Sequence, residues 1–339
     1  MPRVPRGSES GTDAPYRPSG RASPVVPRRY AERVRVLVVV NPRATATTER
    51  GRDVLAHALG GTAELQIERT SNRGHAAALA CRAMRDGMDA VVALGGDGTV
   101  NEVVNGLLTD GVHDRVPALG IVPAGSTNVF ARALGLPNDA IEATGVLLDA
   151  VRERRTRGVS IGRADDRWFI FAAGVGFDAA VIARVERERS RGHRSTAALY
   201  ARAGLREFFA ADRRHPLLRL ELPDGTTHRG IHMAIVANAD PWTYLGDRAL
   251  RATPQASFAH GLDVYGRTRM GTAGVVYALG QMTRRTPKLA GRSAMLLHDL
   301  PGFILHADEP VMLQVDGDLI GPRREVTFRS VPDAIRIMI

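Results

Sequence analysis

The chain is poor in several things. Among its 339 residues there is one cysteine, Cys81, so no intrachain disulfide and no cysteine-based metal cage can form. There is one lysine, Lys288, so neither the Gly-Lys-Ser/Thr of a Walker A loop nor a protein kinase's strand lysine is present. Aromatics make up only 5% of residues, and no recognised module or aromatic stacking platform points to nucleic acid. No apolar run approaches the ~20 residues of a membrane span. Residues 1–33 lack the apolar core of a secretory signal, which makes a cytoplasmic protein the default expectation.

What the chain has is arginine and a net charge of +10. Genome composition accounts for an Arg-for-Lys preference but not for the excess of positive charge. That excess suits phosphates, an anionic membrane surface or nucleic acid without choosing among them. Residues 1–33 carry six Pro, three Gly, four Ser and seven Arg against three acidic residues, and read as a disordered basic tail.

The stretch 90–106, A-V-V-A-L-G-G-D-G-T-V-N-E-V-V-N-G, organises the rest. Residues 90–94 form an unbroken apolar run, as in a parallel strand buried on both faces. Gly95 and Gly96 end it, with freedom for positive φ and for close approach of another molecule. Thr99 reads as the cap of a helix whose apolar positions are Val100, Val103, Val104 and Leu107. A strand, a glycine turn and a helix N-terminus together make a phosphate site. Asp97 inside that turn would repel a bare phosphate, which implies a bridging Mg²⁺ or a hydroxyl awaiting deprotonation. The plain alternative is a glycine-rich turn with a capping Asp.

Three more apolar runs, 36–40, 64–68 and 118–122, end in polar turns: Asn41-Pro42-Arg43-Ala44, Thr70 to His75, and Pro123 to Asn128. Helices are expected over 48–59, 75–85, 129–134 and, capped by Asp139, 140–152. Four polar loops at corresponding strand ends describe a doubly wound α/β domain, residues 34–156. Residues 157–339 read as a mostly antiparallel, β-sandwich-like domain. Its expected strands are 159–163, 168–172, 217–222, 231–237, 262–265, 304–307, 311–315, 325–328 and 335–338. A second glycine turn lies at Gly174–Ala179, a helix at 275–282, and a hairpin turn at Asp316-Gly317-Asp318. Residues 184–214, with nine Arg against four acidic residues and several aromatics, suit either an anionic membrane surface or a solvated helix.

These motifs, Asn41-Pro42, Thr70 with Gly74-His75-Ala76, Gly95 to Glu102, Pro123 to Arg132, Gly174 to Ala179 and Asp316-Gly317, resemble in order and spacing the bacterial diacylglycerol kinase catalytic-domain family. That family of lipid kinases is related to sphingosine kinases and, distantly, to NAD kinases. The resemblance runs from about residue 34 to the C-terminus. It implies an NAD-kinase-like α/β nucleotide-binding domain, then a β-sandwich-like domain, with the active site in the cleft. It implies ATP bound by Asn41, Thr70, Gly95, Gly96, Asp97, Gly98, Thr99, Val100, Asn101 and Ser126, with Glu102 fixing the glycine loop. Asp97 would work with Mg²⁺ or as a base. The acceptor would be a lipid, diacylglycerol by default, met by a peripherally bound enzyme at an anionic membrane surface; the reading admits a homodimer.

The sequence departs from the family's pattern in three places. Arg43-Ala44-Thr45 stands where the family has a residue followed by Ser-Gly, which shifts phosphate contact towards Thr45 or Thr47. Asp318 replaces the Glu usually assigned as proton acceptor, with a reach shorter by roughly 1.5 Å. His260 replaces an Asp at a turn where some members hold a structural Mg²⁺, and a hard cation prefers oxygen, so that ion is expected to be missing. Two other readings stand beside lipid phosphorylation. An NAD kinase shares Gly-Gly-Asp-Gly-Thr, although residues 100–106 and 123–128 suit lipid kinases better. A lipid- or nucleotide-binding regulator that has lost catalysis would fit the altered Asp318 and Asn-Pro loop.

Overall fold

The computed structural model describes residues 33–47, 49–191, 197–210 and 212–339. The expected basic tail, apart from Arg33, and Arg194 of the basic stretch lie outside them.

The chain starts with four strand–helix units: β1 (Val34–Val40), α1 (Glu49–Gly60), β2 (Ala63–Arg69), α2 (His75–Arg85), β3 (Ala90–Gly95), α3 (Asp97–Leu107), β4 (Ala118–Pro123), α4 (Val129–Ala133) and α5 (Ala140–Glu153). The strands are parallel in the order β2-β1-β3-β4. Alternation along each strand separates two buried layers. Leu37, Val39, Val91 and Ala93 face α2 and α3 through Leu79, Val103 and Leu107. Val36, Val38, Val92 and Leu94 face α1 and α5 through Leu55, Leu59 and Leu147. Both faces of the sheet are covered, which is why these strands read as unbroken apolar runs. Asp139 caps α5 as expected, accepting from the N–H groups of Ile141 and Glu142.

The remainder comprises β5 (Arg157–Ala164), β6 (Arg167–Phe169), β7 (Ala172–Gly176), α6 (Phe177–Ser190), α7 (Ala197–Ala210), β8 (Leu218–Glu221), β9 (Thr227–Ile231), β10 (Met233–Ala237), β11 (Thr243–Leu245), β12 (Arg248–Leu250), β13 (Leu262–Arg267), α8 (Thr272–Met282), β14 (Ala294–Leu300), β15 (Gly302–Val315) and β16 (Asp318–Ile337). Strands β14-β13-β10-β7-β15-β16 form a large antiparallel sheet. The fold is mixed α/β, a parallel core followed by this sheet.

β16 joins the two parts. Its first half pairs with β15, its second half pairs antiparallel with β5 from Phe328 to Ile337, and its end meets β4 in parallel at Ile337 and Leu119. The layer under α2 and α3 continues into Val159, Ile161, Trp168 and Ile335. The expected strands 304–307 and 311–315 are one strand, as are 325–328 and 335–338. Register shifts absorb the irregular residues between them, and Asp333 takes a left-handed conformation inside the second shift. The expected strand 168–172 is two. Ile170, Phe171 and Ala172 direct their N–H groups to the Asp316 carboxylate rather than to a neighbouring strand.

Candidate active site

The order β2-β1-β3-β4 reverses direction between β1 and β3, and open α/β sheets bind ligands beyond the carboxyl ends of strands at that point. Here Asn41 follows β1, and Gly96 follows the closing Gly95 of β3. The Asn41 N–H donates to the Leu94 carbonyl at 3.0 Å, and its side-chain amide donates to the Thr99 hydroxyl at 2.9 Å. Asn41 Oδ1 accepts from the Arg43 N–H at 2.9 Å, which turns the chain sharply after β1.

A cavity of about 430 Å³ opens there. It is bordered by the turn after β1 (Asn41, Arg43, Thr45), the loop after β2 (Thr70 to Arg73), and the start of α3 (Gly96, Asp97, Gly98, Thr99, Glu102). Gly125, Ser126 and Asn128 beyond β4 and Asp318 at the start of β16 complete it. The N-terminus of α3 thus faces the cavity, the polarity that suits phosphate.

The glycines work by close approach rather than by positive φ. Gly96 has φ −89°, and neither it nor Gly95 is in the left-handed region, contrary to the expectation. A Cβ on Gly95 would sit 2.6 Å from the Thr99 hydroxyl oxygen, and one on Gly125 would sit 2.6 Å from the Gly96 Cα. The β3 and β4 loops therefore touch backbone to backbone. Gly98 meets nothing within 4 Å, so its open side belongs to the cavity. Thr99 does not cap α3. Gly96 occupies the cap position, and the Thr99 hydroxyl is taken by Asn41.

Asp97 has a different posture from the one its sequence position suggests. Its carboxylate turns inward and accepts from the N–H groups of Val129 at 2.9 Å and Phe130 at 3.1 Å, at the start of α4. Burial pushes its pKa up, while the two N–H bonds and the nearby Arg132 pull it down. Asp97 thus ties the glycine turn to the loop after β4. Asn128 supports the same loop, with Oδ1 accepting from the Gly125 N–H and Nδ2 donating to the Gly125 carbonyl, both at 2.9 Å. Its left-handed φ of 49° is one that Asn tolerates.

Glu102 does not hold the glycine turn. Its two oxygens accept from the N–H groups of Gly74 at 2.8 Å and Ala76 at 3.1 Å, fixing the loop after β2 against the start of α2. Val100 and Asn101 are buried and lie outside the cavity lining, because successive helical residues point to different sides; Gly95, the last residue of β3, lies outside it too. Asn101 is instead a joint between the two parts of the fold. Its Nδ2 donates to Asp316 Oδ2 at 2.7 Å and to the Trp168 carbonyl at 3.0 Å, and its Oδ1 accepts from Arg167 at 2.7 Å.

Asp316 completes that joint. Its oxygens also accept from the N–H groups of Ile170, Phe171 and Ala172 at 2.7–3.0 Å. Burial pushes it up to about 7, against the pull of these four donors. Asp316 and Gly317, with φ 49° and 83°, form the two-residue turn between Val315 and Asp318. Both residues at positive φ match the turn that fits the twist of a hairpin. A buried carboxylate anchors the turn, and the turn presents Asp318 at the cavity.

There Asp318 Oδ1 lies 2.7 Å from Arg73 Nη2, and Arg73 also reaches Glu186 at 3.5 Å. Sequence reasoning missed Arg73 because its partner comes from the far end of the chain. Of the alternatives to the altered Asn-Pro loop, Thr45 borders the cavity, whereas the Thr47 hydroxyl is buried. Outside the cavity lining, His260 lies edge-on to His298 with ring centroids 5.3 Å apart, and His298 Nδ1 donates to Asp263 at 2.7 Å. Among the described residues, no group of three or more His, Cys, Asp or Glu is arranged to hold a metal ion. None of the described helices is long and apolar enough to cross a membrane.

Known proteins are similar to this chain in sequence and in architecture. Residues 35–164 match the family model for the diacylglycerol kinase catalytic domain. Diacylglycerol kinases of Staphylococcus aureus strains JH9 and Newman are each 43% identical over 106 residues, 31% of this chain and 31% of each relative. The match therefore spans less than a third of those curated relatives. A solved diacylglycerol kinase from Bacillus anthracis str. Sterne aligns over 90% of this chain and 96% of its own, with TM-score 0.66 and 18% identity. Another solved chain from that organism covers 90% and 97%, with TM-score 0.70 and 19% identity. At such identities these two establish the fold alone. Residues 35–164 are therefore similar in sequence to the bacterial diacylglycerol kinase catalytic domain, and the rest of the chain shares the fold of the solved relatives.

Proposed function

We propose that the protein is an ATP-dependent lipid kinase, transferring the γ-phosphate of ATP to a lipid hydroxyl, with diacylglycerol giving phosphatidic acid as the leading reaction. One observation carries this reading: the strand-end cavity gathers the glycine turn, the start of α3 and the Asp318 carboxylate in one place. Phosphoryl transfer asks for positioning and charge handling rather than covalent chemistry by the protein, and this cavity offers both.

In the proposed reaction the triphosphate lies against Gly96, Gly98 and Ser126, with the α3 N-terminus and Arg43 facing its charge. Mg²⁺ belongs to the substrate as MgATP. Asp97 is the residue that would face it, since each of its oxygens keeps a lone pair beyond the bond from Val129 or Phe130. Asp318 takes the proton of the lipid hydroxyl. The hydroxyl oxygen bonds to the γ-phosphorus, the bond from phosphorus to the β–γ bridging oxygen breaks, and ADP leaves. Arg73, held on Asp318 without substrate, is within reach of the phosphoryl group once nucleotide enters. The acceptor would be met at an anionic membrane surface.

Radiolabelled ATP incubated with the protein, a mixed-lipid extract and NAD, followed by identification of the product, tests the reading. Labelled phosphatidic acid is expected. Label on NAD instead of lipid would favour an NAD kinase. No turnover with intact ATP binding would leave a regulatory nucleotide-binding protein.

A further inference from the structure

The net positive charge is not spread evenly. Between Asp263 and Asp299 the chain contains no acidic residue, while Arg267, Arg269, Arg284, Arg285, Lys288 and Arg292 fall within that span. At its centre is α8, whose sequence T-A-G-V-V-Y-A-L-G-Q-M carries no charge at all. The helix rests on an apolar cluster through Ala278 and Met282, beside Tyr265, Met270 and Phe208 of α7. Its opposite side is uncovered: Val276 is 63% exposed, Tyr277 60% and Leu279 50%. Three adjacent large apolar side chains left in water on one short helix mark an interaction surface rather than ordinary scatter.

Cations follow directly. Arg284, Arg285 and Lys288 are exposed within six residues of the helix end, and none forms an ion pair among the described residues. Residues 184–214, where the sequence suggested either an anionic membrane surface or a solvated helix, are of mixed character, with Leu205 and Phe209 of α7 61% and 65% exposed but some of the arginines paired. There Arg184 is held by Glu207 at 2.8 Å and Arg191 by Glu188 at 3.3 Å. A second copy of the chain docking through α8 about a two-fold axis would bring like charges together. An anionic bilayer supplies both the apolar depth and the opposite charge.

We propose that α8 and the segment after it form a membrane-docking face. Val276, Tyr277 and Leu279 enter the boundary between headgroups and acyl chains of an anionic bilayer, and Arg284, Arg285 and Lys288 pair with lipid phosphates. The inference deepens the lipid-kinase reading and rests on it for the source of the bilayer. A short helix lying in the interface with an apolar side down and cations at the headgroup level is the arrangement amphipathic anchors use. Each basic residue near such a surface contributes about fivefold in partitioning, so three give roughly a hundredfold.

The test uses the full chain and vesicles of equal parts phosphatidylcholine and phosphatidylglycerol, read by co-sedimentation. The wild type should bind them, bind pure phosphatidylcholine vesicles far less, and release as salt rises. V276S/Y277S/L279S and R284A/R285A/K288A should each lose roughly a hundredfold in partitioning. I141S, altered at a 54% exposed apolar position on α5, should bind as the wild type does. Y277W should show a blue shift of indole emission on adding vesicles, a gain of signal that does not depend on a loss. The proposal is overturned if either triple variant partitions like the wild type, or if the wild type ignores the vesicles. It is also overturned if the chain dimerises in solution and V276S/Y277S/L279S abolishes the dimer. Phosphorylation of diacylglycerol in neutral detergent micelles separates the two readings. Binding that depends on α8 without any lipid turnover upholds the docking face and sinks the kinase; turnover with binding indifferent to α8 does the reverse.

Discussion

The Arg73 guanidinium meets the Asp318 carboxylate at 2.7 Å on the rim of the cavity, joining the loop after β2 to the hairpin between β15 and β16. Arg73 is more than half exposed, so the pair is screened by water and contributes at most about 1 kcal/mol to stability. Its weight lies in function. Arg73→Gln should shift urea unfolding by less than about 1 kcal/mol while lowering turnover. A large loss of stability would make the pair a structural clamp instead.

Asp318 itself should matter far more to rate than to fold. Asp318→Ala should cost the roughly 10²–10⁴-fold typical of losing a general base, with ATP affinity nearly unchanged. Asp318→Glu restores the longer reach usual in the family and should keep or raise activity. Lipid phosphorylation by Asp318→Asn at the wild-type rate would remove Asp318 from the reaction and leave it closing a turn.

Asn101 illustrates how the candidate site was legible only in part. The four strand ends could be read directly, because strands covered on both faces appear as unbroken apolar runs and each ends in glycine or small polar residues. The residues that border the cavity followed from those ends: Asn41, Thr70, Gly96, Gly98 and Ser126 are all there. Side-chain direction could not be read. Asn101 lies within the motif but on the buried side of α3, where its partner, Asp316, is remote in sequence. Asp97 differs in that it borders the cavity, yet the direction of its carboxylate was equally illegible, because its partners Val129 and Phe130 open a different helix. Motif position reports proximity to a site, whereas long-range hydrogen bonds decide which member touches ligand and which carries the frame.

Removing the Asn101 amide should therefore unfold the joint. Asn101→Ala deprives the buried Asp316 of one of its four donors and leaves Arg167 without its 2.7 Å acceptor. A buried charge stripped of a partner costs on the order of 2–4 kcal/mol, and urea denaturation should show it. An unchanged midpoint would mean that the three backbone donors suffice.

Two alanines separate close approach from open space. Gly125→Ala places a methyl 2.6 Å from the Gly96 backbone, so the β3 and β4 loops must part. ATP affinity measured by calorimetry should fall at least about tenfold, since the phosphate cradle is built from both loops. Gly98→Ala adds a methyl that meets nothing, in a helical residue, and should stabilise α3 by about 0.5–1 kcal/mol. Equal ATP affinity for Gly125→Ala and the wild type would show that the cradle lies elsewhere.

The last prediction concerns pH. Asp178, in the first turn of α6, is buried, and its Oδ2 accepts from Gln314 Nε2 at 2.8 Å. Gln314 Oε1 in turn accepts from the Gly317 N–H at 2.8 Å, so Asp178 stands behind the turn that presents Asp318. Burial raises its pKa from the ordinary 3.8 to about 6, against the pull of the Gln314 bond. A carboxyl with a raised pKa holds its proton in the folded chain over a range where the unfolded chain has released it. Its contribution to stability is thus fully present below about pH 4 and is lost as pH rises through about 6. A shift of about two units corresponds to about 3 kcal/mol. Asp178→Asn keeps an acceptor for Gln314 but cannot ionise. Compared with the wild type, its stability should improve by about 3 kcal/mol between pH 4 and pH 7, read from urea midpoints at a series of pH values. The opposing idea is that the Gln314 bond and the N-terminal dipole of α6 keep Asp178 charged throughout. In that case the difference between variant and wild type would be flat across the range, and burial of this carboxylate would carry no cost at neutral pH.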